Sequence, residues 1–351
     1  MFITGLGTAV PDRSFTQLEC AAALDRADHP ALTPRTRAVL KGILTHDNGI
    51  ERRSLALSVL DEGFHLDPDT LYRRFVTHAP RLAAEAARAA LAEAGLDAHE
   101  VDGIVISTCT GYLCPGLTSY VAESLGLRAD AVAFDLVGQG CGAALPNLRA
   151  CDALLATAQC EHVVSVCVEV CSAAMYLDQD LGVLVSACLF GDGAAAAVCS
   201  KRPRAGGRTV RWRAAASLTD PAQRDALRFE QRGGMLRNIL TLPVPKMAGN
   251  YAGRVLDSCL AAEGIDAGRI QEWILHAGGR KVLSELQSRL RLGPEDVRFS
   301  TAVLREHGNL SSPFVLFVLA AALRNGAPAG LWWMSSFGAG FSCHGALLEV
   351  A

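Results

Sequence analysis

The sequence predicts an α/β protein made of two similar halves. Strand-like apolar runs alternate with helical stretches along the whole chain of 351 residues, of which 50% are hydrophobic and 20% charged. Two short segments recur in the same order, and a glycine-bearing turn follows an apolar strand in each half. Alternation of this kind is typical of strands covered by helices on both faces. We therefore predict two halves, residues 1–200 and 201–351, each carrying part of one site.

The first repeat compares residues 94–106 with residues 263–275. Each segment follows a helical stretch, residues 80–93 or 251–262, and closes that helix with a glycine. The apolar run that comes next predicts a buried strand in both halves.

The second repeat compares residues 189–194 with residues 336–341, and both precede apolar runs that predict closing strands. The glycine, hydrophobic residue and aspartate of the first repeat form a common helix-to-strand connector, so one repeat alone would be weak evidence for a duplication. Two repeats in the same order favour an internal duplication. The halves would meet near residue 200, where a basic stretch with glycine and proline lies.

Composition narrows the class of protein. The formal net charge of −3 gives no overall field that would favour nucleic acid or an anionic membrane. The 12 cysteines include no CxxC pair and no zinc spacing, which predicts buried thiols in a reducing compartment. Residues 1–7 predict a strand rather than a signal peptide, and no apolar stretch predicts a membrane span. We expect a cytoplasmic protein without a metal centre.

Cys141 has the most distinctive setting of the cysteines. It ends the run Gly138-Gln-Gly-Cys141, after the strand-like residues 131–137 and at the start of an alanine-rich helical pattern. Backbone N–H groups and the dipole at a helix N-terminus favour thiolate over thiol. The pattern therefore predicts a nucleophile that can carry an acyl group.

Two further residues are candidates for the same site. His276 ends the second repeated strand, and ligands of α/β sheets lie beyond the carboxyl ends of strands. Asn309 precedes Ser312-Pro313, which predict the start of an apolar helix over residues 314–323. A buried amide in that loop is costly unless it bonds something. For each residue alone, a structural histidine or a loop-capping asparagine remains the alternative.

The three side chains form a consistent chemical set. A cysteine carries an acyl group, and a protonated histidine beside it would favour the thiolate. Neutral imidazole and amide groups both donate hydrogen bonds to a developing enolate or oxyanion. This set suits decarboxylative carbon–carbon bond formation. Peptide hydrolysis uses the same residue types but needs a base that activates water and an open cleft.

Five motifs resemble those of the type III polyketide synthases, the chalcone and stilbene synthase family of the thiolase superfamily. In chain order they are Gly-Gln-Gly-Cys141, Leu189-Phe190-Gly-Asp-Gly-Ala, His276-Ala-Gly-Gly, Gly308-Asn309-Leu-Ser-Ser and Phe337-Gly-Ala-Gly340. The resemblance runs the whole length of the chain. It implies a thiolase-like fold of two duplicated βαβαβ-type halves in α-β-α-β-α layers.

The resemblance also implies a role for each catalytic residue. Cys141 would take a starter acyl group from coenzyme A. His276 and Asn309 would stabilise the enolate formed when malonyl-CoA loses carbon dioxide, and that enolate would attack the thioester before ring closure. Acyl-CoA and malonyl-CoA are the implied substrates, a homodimer is implied, and no separate cofactor is expected.

A cavity wall is implied in the same way. Phe190 matches a gatekeeping phenylalanine, and Leu242 aligns with a second one, whose loss would widen the cavity mouth. Cys114 would reach into the cavity of a second copy. The other implied cavity residues are Cys109, Thr110, Cys171, Ala174, Ser311, Phe337 and Gly338. Arg52 and Arg53 lie where relatives bind CoA phosphates, although Glu51 replaces a family lysine.

The product and two rival functions stay open at this level. Small cavity residues favour a fatty or bulky acyl starter and an alkylpyrone or alkylresorcinol product. An initiating ketoacyl-carrier-protein synthase would stop after one condensation, and the run Ala-Gly-Gly-Arg after His276 argues against it. A non-catalytic thiolase-fold scaffold would not need both the Cys141 and the His276 motifs.

Overall fold

The computed structural model describes all 351 residues as a mixed α/β fold built on one large sheet. The strands are β1 Phe2–Ala9, β2 Ser14–Thr16, β3 Arg52–Ser54, β4 Gly103–Thr108, β5 Val132–Val137, β6 His162–Glu169, β7 Gly193–Ser200, β8 Val210–Thr219, β9 Leu227–Arg232, β10 Met235–Leu240, β11 Ile270–Leu275, β12 Gly330–Gly338 and β13 Ser342–Val350. The helices are α1 Gln17–Arg26, α2 Pro34–Thr45, α3 Pro68–Ala94, α4 Leu117–Leu125, α5 Ala144–Leu155, α6 Leu181–Leu189, α7 Val244–Glu263, α8 Arg280–Leu290, α9 Arg298–His307 and α10 Phe314–Arg324.

The order of the strands is pseudosymmetric. Nine strands form one sheet in the order β11-β12-β13-β8-β1-β7-β6-β4-β5. Outward from the β1–β8 junction, β1-β7-β6-β4 matches β8-β13-β12-β11, and the pairs β6–β4 and β12–β11 are both parallel. The junction itself is short, with Phe2 opposite Arg211 and Ile3 opposite Val210. This matching order of strands is what an internal duplication requires. The boundary between the two halves at residue 200 stays a prediction.

Helices lie on both faces of the strands and between the two halves. Alternate residues of β7 face different cores: Ala194, Ala196 and Val198 join the cluster that contains α3, while neighbouring residues join the cluster that contains α10. Helices α5 and α10 contact strands from both halves, so they form the central layer. Helix α3 covers β1, β6 and β7, and α7 covers β8, β12 and β13. This α-β-α-β-α arrangement confirms the predicted fold class.

Helix α3 approaches β1 so closely that the strand uses glycine. A Cβ added at Gly5 would overlap the carbonyl oxygen of Ala90, and one at Gly7 would overlap that of Ala86. Alanines give α3 a flat buried face, which lets the two backbones meet.

The repeated glycines end helices as predicted. Gly95 closes α3 with φ 71°, and Gly264 closes α7 with φ 65°, both in the left-handed region. The helix starts differ from prediction. Helix α3 begins at Pro68, where Asp67 accepts a hydrogen bond from the Thr70 N–H at 2.9 Å, and Pro80 lies inside the helix. A proline that predicts a first turn is here accommodated within a longer helix.

Helix α10 begins at Phe314 as predicted, but the predicted serine cap is absent. No side chain caps the helix, whose preceding residue is Pro313. The Ser312 hydroxyl instead donates to Glu169 Oε1 at 2.6 Å, because a buried carboxylate lies next to it. None of the helices combines the length and the apolar character needed to span a membrane.

Candidate active site

Cys141 lies in a tight turn between β5 and α5. The turn is a 3₁₀ segment, Gly140–Gly142, and α5 begins only at Ala144. Gly138 and Gly140 have φ values of 84° and 55°, which favour glycine. The end of β12 clamps the turn, since Ser336 Oγ donates to the Gly142 carbonyl at 3.0 Å. The nucleophile of one half is therefore positioned by a strand of the other.

The Cys141 thiol is protonated in the resting site. Burial raises its pKa to about 12, although a hydrogen bond from Ser311 Oγ to Sγ, 3.2 Å long, acts in the opposite direction. The nearby Glu169 carboxylate also raises this pKa. The structure thus differs from the expected thiolate at a helix start, because the regular helix begins beyond the cysteine and desolvation opposes charge.

His276 is buried and neutral. Its side chain follows β11, is 1% exposed, and meets the rings of Phe314 and Phe337 edge-on at centroid distances of 5.2 and 5.0 Å. Burial lowers its pKa to about 3, and neither ring nitrogen has a hydrogen-bond partner within the chain. This imidazole fits the role of a neutral hydrogen-bond donor, and it does not supply the positive charge that would favour a thiolate.

Asn309 links three segments of the site. Its Nδ2 donates to the Gly278 carbonyl at 3.0 Å, and its Oδ1 accepts from the Ser311 N–H at 2.8 Å. Its backbone pairs with residues around Phe190, since the Gly191 N–H donates to the Asn309 carbonyl at 3.0 Å. The amide keeps one N–H for a further acceptor. Ser311 has φ 58°, an unfavourable value for serine, which the surrounding bonds maintain.

Glu169 is a buried site residue that the sequence analysis missed. The carboxylate at the end of β6 is 0% exposed and accepts hydrogen bonds from the Ser312 hydroxyl at 2.6 Å, the Thr110 hydroxyl at 2.9 Å and the Cys109 N–H at 3.0 Å. Burial raises its pKa. The sequence did offer one signal for Glu169, because a charged residue there ends an otherwise apolar strand.

A narrow cavity of about 60 Å³ opens beside the Cys141 thiol. The predicted residues on its wall are Cys109, Thr110, Cys141, Cys171, Ala174, Phe190 and Ser311. His276 and Asn309 lie just behind this wall, joined to it through Phe337 and Ser311. The predicted nucleophile therefore lies on the cavity wall, whereas its two predicted partners do not line the cavity and are buried in the layer of residues next to it.

Asn238 is a polar wall residue that the sequence did not indicate. It lies on β10, is 7% exposed, and donates through Nδ2 to Ser186 Oγ at 3.0 Å. Phe229, its partner on β9, also lines the cavity. The two-stranded β9–β10 sheet forms this wall, and its register could not be aligned from the sequence.

Several predicted cavity residues lie elsewhere. Leu242 is 85% exposed in the turn between β10 and α7 and does not line the cavity at Cys141, so its role at the cavity mouth stays a prediction. Cys114 is exposed and does not line the cavity of its own chain. Phe337 packs on His276, and Gly338 packs against the backbone of the Cys141 turn, where a Cβ would overlap Gly142. Both support the wall from behind.

Arg53, one of the two arginines predicted to bind CoA phosphates, has a structural role instead. This side chain is 3% exposed and donates to the carbonyls of Ala187 at 2.9 Å and Phe190 at 2.8 Å, and to Gln17 Oε1 at 3.1 Å. Arg53 thus anchors the Phe190 segment and is not free to bind a phosphate. Arg52 is exposed beside it.

Comparisons with known proteins agree with this geometry. The family described as FAE1/Type III polyketide synthase-like protein matches residues 65–219, and the family Chalcone and stilbene synthases, C-terminal domain, matches residues 225–349. A 3,5-dihydroxyphenylacetyl-CoA synthase from Streptomyces toyocaensis is 31% identical over 99% of this chain and 89% of its own length. A 1,3,6,8-tetrahydroxynaphthalene synthase from Streptomyces peucetius subsp. caesius is 31% identical over 99% of this chain and 92% of its own length.

Solved structures show the same fold. PKS-I from the brown alga Ectocarpus siliculosus superposes with a TM-score of 0.90 at 26% identity and covers 99% of this chain and 97% of its own. The 1,3,6,8-tetrahydroxynaphthalene synthase from Streptomyces coelicolor A3(2) superposes with a TM-score of 0.85 at 26% identity and covers 99% of both chains.

The layered fold and the enclosed thiol define a thiolase-fold acyltransferase that forms carbon–carbon bonds. The chain belongs to the type III polyketide synthase family, whose chalcone and stilbene synthase domain covers its second half. The family and the enzyme class predicted from the five motifs are thereby confirmed.

Proposed function

We propose that this polyketide synthase loads an acyl group from a coenzyme A thioester onto Cys141 and extends it by repeated decarboxylative condensation with malonyl-CoA before ring closure. The observation that carries this proposal is the cavity at the Cys141 thiol, with Asn309 bonded to its wall residue Ser311 and the neutral His276 packed on Phe337 close to the Cys141 turn. The roles of all three residues are part of the proposal.

Loading is a thioester exchange. The Cys141 sulfur attacks the acyl carbonyl carbon, the bond to the coenzyme A sulfur breaks, and the cysteine proton leaves with the coenzyme A thiol. No net charge remains in the buried cavity, which suits a resting thiol whose pKa is about 12. The Ser311 hydroxyl stabilises negative charge on the sulfur as the proton leaves.

Extension uses the two neutral donors. The thioester oxygen of malonyl-CoA accepts hydrogen bonds from His276 and Asn309, carbon dioxide leaves, and the electron pair forms an enolate. The enolate carbon attacks the Cys141 thioester, the carbon–sulfur bond breaks, and the released thiolate takes up a proton from water. The extended chain, now a coenzyme A thioester, is then transferred back to Cys141 by the same thioester exchange before the next extension. Every step is redox neutral, so the proposed cycle consumes only coenzyme A thioesters.

The narrow space directly beside the thiol favours a short starter and a small aromatic product, and an adjoining space of about 490 Å³, which shares Cys109, Thr110 and Phe229 with its wall, leaves room for chain extension. The enclosed space is about 60 Å³, and Tyr176, Phe190 and Phe229 lie on its wall. Two relatives are named for synthesis of 3,5-dihydroxyphenylacetyl-CoA and 1,3,6,8-tetrahydroxynaphthalene, which are small aromatic compounds. A fatty-acyl starter with an alkylpyrone or alkylresorcinol product is the second candidate. A further apolar space of about 60 Å³ supports it, because Met175 and Ala187 belong to the walls of both spaces.

A homodimer is part of the proposal. Strand β5 is an edge of the large sheet, and it exposes Phe134 and Val137 to 46% and 58%. Tyr112, 71% exposed, comes from the loop that contains Cys114. A second copy of the same edge, running antiparallel, would pair the free backbone groups and cover these side chains.

The reaction is tested with three variants and mass spectrometry of products from malonyl-CoA and acyl-CoA starters of graded length. Cys141→Ala is expected to give no product and to remain folded, since one buried atom is lost. Cys141→Gln is expected to release carbon dioxide from malonyl-CoA without condensing it. Cys171→Ala is the matched control from the same cavity and should still make product. Turnover by Cys141→Ala would refute the role of this thiol.

A further inference from the structure

A second, polar cavity lies apart from the catalytic one. It measures about 450 Å³ and is formed by the first half of α3, the turn at residues 11–13 and the segment at residues 55–58. None of its lining residues belongs to the wall of the cavity at Cys141. We call it the arginine cleft, after its arginines Arg13, Arg73, Arg74 and Arg81.

The charge of the arginine cleft is strongly positive for this chain. Its only acidic residues are Asp12 and Glu62, whereas the formal net charge of the whole protein is −3. Arg81 has its own partner, Glu85, at 2.8 Å. Arg13 and Arg73 form no direct ion pair; Arg73 donates to the Thr70 hydroxyl at 2.9 Å, and Asp67 acts on it only from further away.

Arg74 makes the floor of the arginine cleft unusual. The side chain is only 8% exposed, yet no carboxylate lies within ion-pair distance of its guanidinium group. It donates to two neutral carbonyls, at 2.6 Å to Ser172 and at 2.9 Å to Glu62. Asp192, Glu62 and Asp67 act on it only from further away, and the oxygens of the buried Asp192 are already bound by Ser172 and Ala56.

Two unsatisfied hydrogen-bonding groups also indicate that the arginine cleft binds a ligand. A guanidinium group has more N–H donors than Arg74 uses, so some remain for another acceptor. His78, on the same wall, has a buried Nδ1 without any hydrogen-bond partner. A buried cation without a directly bonded carboxylate is costly, and an anion in the cleft would reduce that cost.

We propose that the arginine cleft binds the phosphate group of a phosphorylated small molecule. Guanidinium groups match phosphate through paired hydrogen bonds, and Arg13, Arg73 and Arg74 bring three of them to one cleft. The volume of about 450 Å³ accommodates a molecule of nucleotide size. Leu55, Leu57 and Pro11 supply apolar surface for its body. This site is independent of the proposed condensation chemistry.

The proposal is tested by calorimetric titration of the purified protein at constant ionic strength. The probes are inorganic pyrophosphate, adenosine 3′,5′-bisphosphate and malonate, which separate free phosphate, nucleotide phosphate and carboxylate. We expect saturable binding of one or both phosphate compounds and none of malonate. Arg13→Gln with Arg73→Gln should weaken that binding about tenfold, since two charge-assisted contacts are lost.

A charge-matched control decides whether the effect is local. Arg35 and Arg202 are exposed, form no ion pair and lie outside the arginine cleft. The double variant Arg35→Gln with Arg202→Gln should bind the phosphate probes as the wild type does, and so should Cys141→Ala. The proposal is overturned if no phosphate probe binds saturably. It is also overturned if both double variants lose affinity equally, or if the Arg13/Arg73 variant binds like the wild type.

Discussion

At the level of single residues, burial decides where protons reside in the active site. Desolvation raises the pKa of the Cys141 thiol and lowers the pKa of His276, so both are neutral before substrate enters. Glu169 lies behind them in a dense set of hydrogen bonds. In the proposed reaction, neutral donors are thus in place before substrate binds, and charge would appear on the reacting atoms only during a step.

Ser311→Ala should make the Cys141 thiol less acidic. The substitution removes the hydroxyl that donates to Sγ at 3.2 Å, a bond worth about 1 kcal/mol, so loading should slow roughly fivefold. The pH dependence of Cys141 alkylation by iodoacetamide, followed by mass spectrometry of its peptide, should move to higher pH. Ser312→Ala removes a hydroxyl bound to Glu169 and is the control. An equal shift in both variants would contradict the assigned contact.

His276 should make the fold sensitive to acid. Its pKa falls from an ordinary value of 6.5 to about 3 in the folded state. Between these values the unfolded chain binds a proton that the folded chain does not, so the unfolding free energy decreases as pH falls below 6.5. At pH 5 this loss is at most about 2 kcal/mol. Urea unfolding at pH 7 and pH 5 should show a smaller loss in His276→Gln than in the wild type. Identical losses would show that His276 is not the titrating group.

At the level of elements, the sequence predicted what local chemistry determines. Gly95 and Gly264 end helices because their backbone angles favour glycine, and each is followed by the predicted strand. The start of α3 was misplaced because Pro80 resembles a first-turn proline. Leu242 lies beyond the end of β10 in an exposed turn, and the position of that turn depends on long-range contacts that no local pattern encodes.

The contact between β1 and α3 should be intolerant of a single methyl group. Gly7→Ala would bring a Cβ against the carbonyl of Ala86, so we expect a loss of about 2–3 kcal/mol in unfolding free energy. Gly42→Ala is the control, because a Cβ there meets no atom within 4 Å inside helix α2. It should instead gain roughly 0.5–1 kcal/mol. Urea midpoints give both values, and a Gly7→Ala variant as stable as the wild type would contradict the close packing.

At the level of the whole molecule, duplication explains why three site residues were accessible from the sequence. Cys141 and His276 follow strands, and Asn309 precedes a central helix, so glycine turns and apolar runs marked all three. Asn238 on the cavity wall and Glu169 behind it were missed because their contacts with the other site residues result from long-range packing. The arginine cleft combines turns and a helix that are far apart in the sequence, so it too appears only in three dimensions.

The exposed edge of the sheet leads to a prediction about assembly. If two copies pair through β5, a charge in the strand should prevent pairing, because a lysine would be buried against its symmetry mate. We expect Phe134→Lys, at a position that is 46% exposed in the single chain, to be monomeric in light scattering and folded by circular dichroism. Leu242→Lys, at an 85% exposed position in the turn after β10, should remain dimeric like the wild type. A monomeric wild type, or a dimeric Phe134→Lys variant, would rule out this edge as the interface.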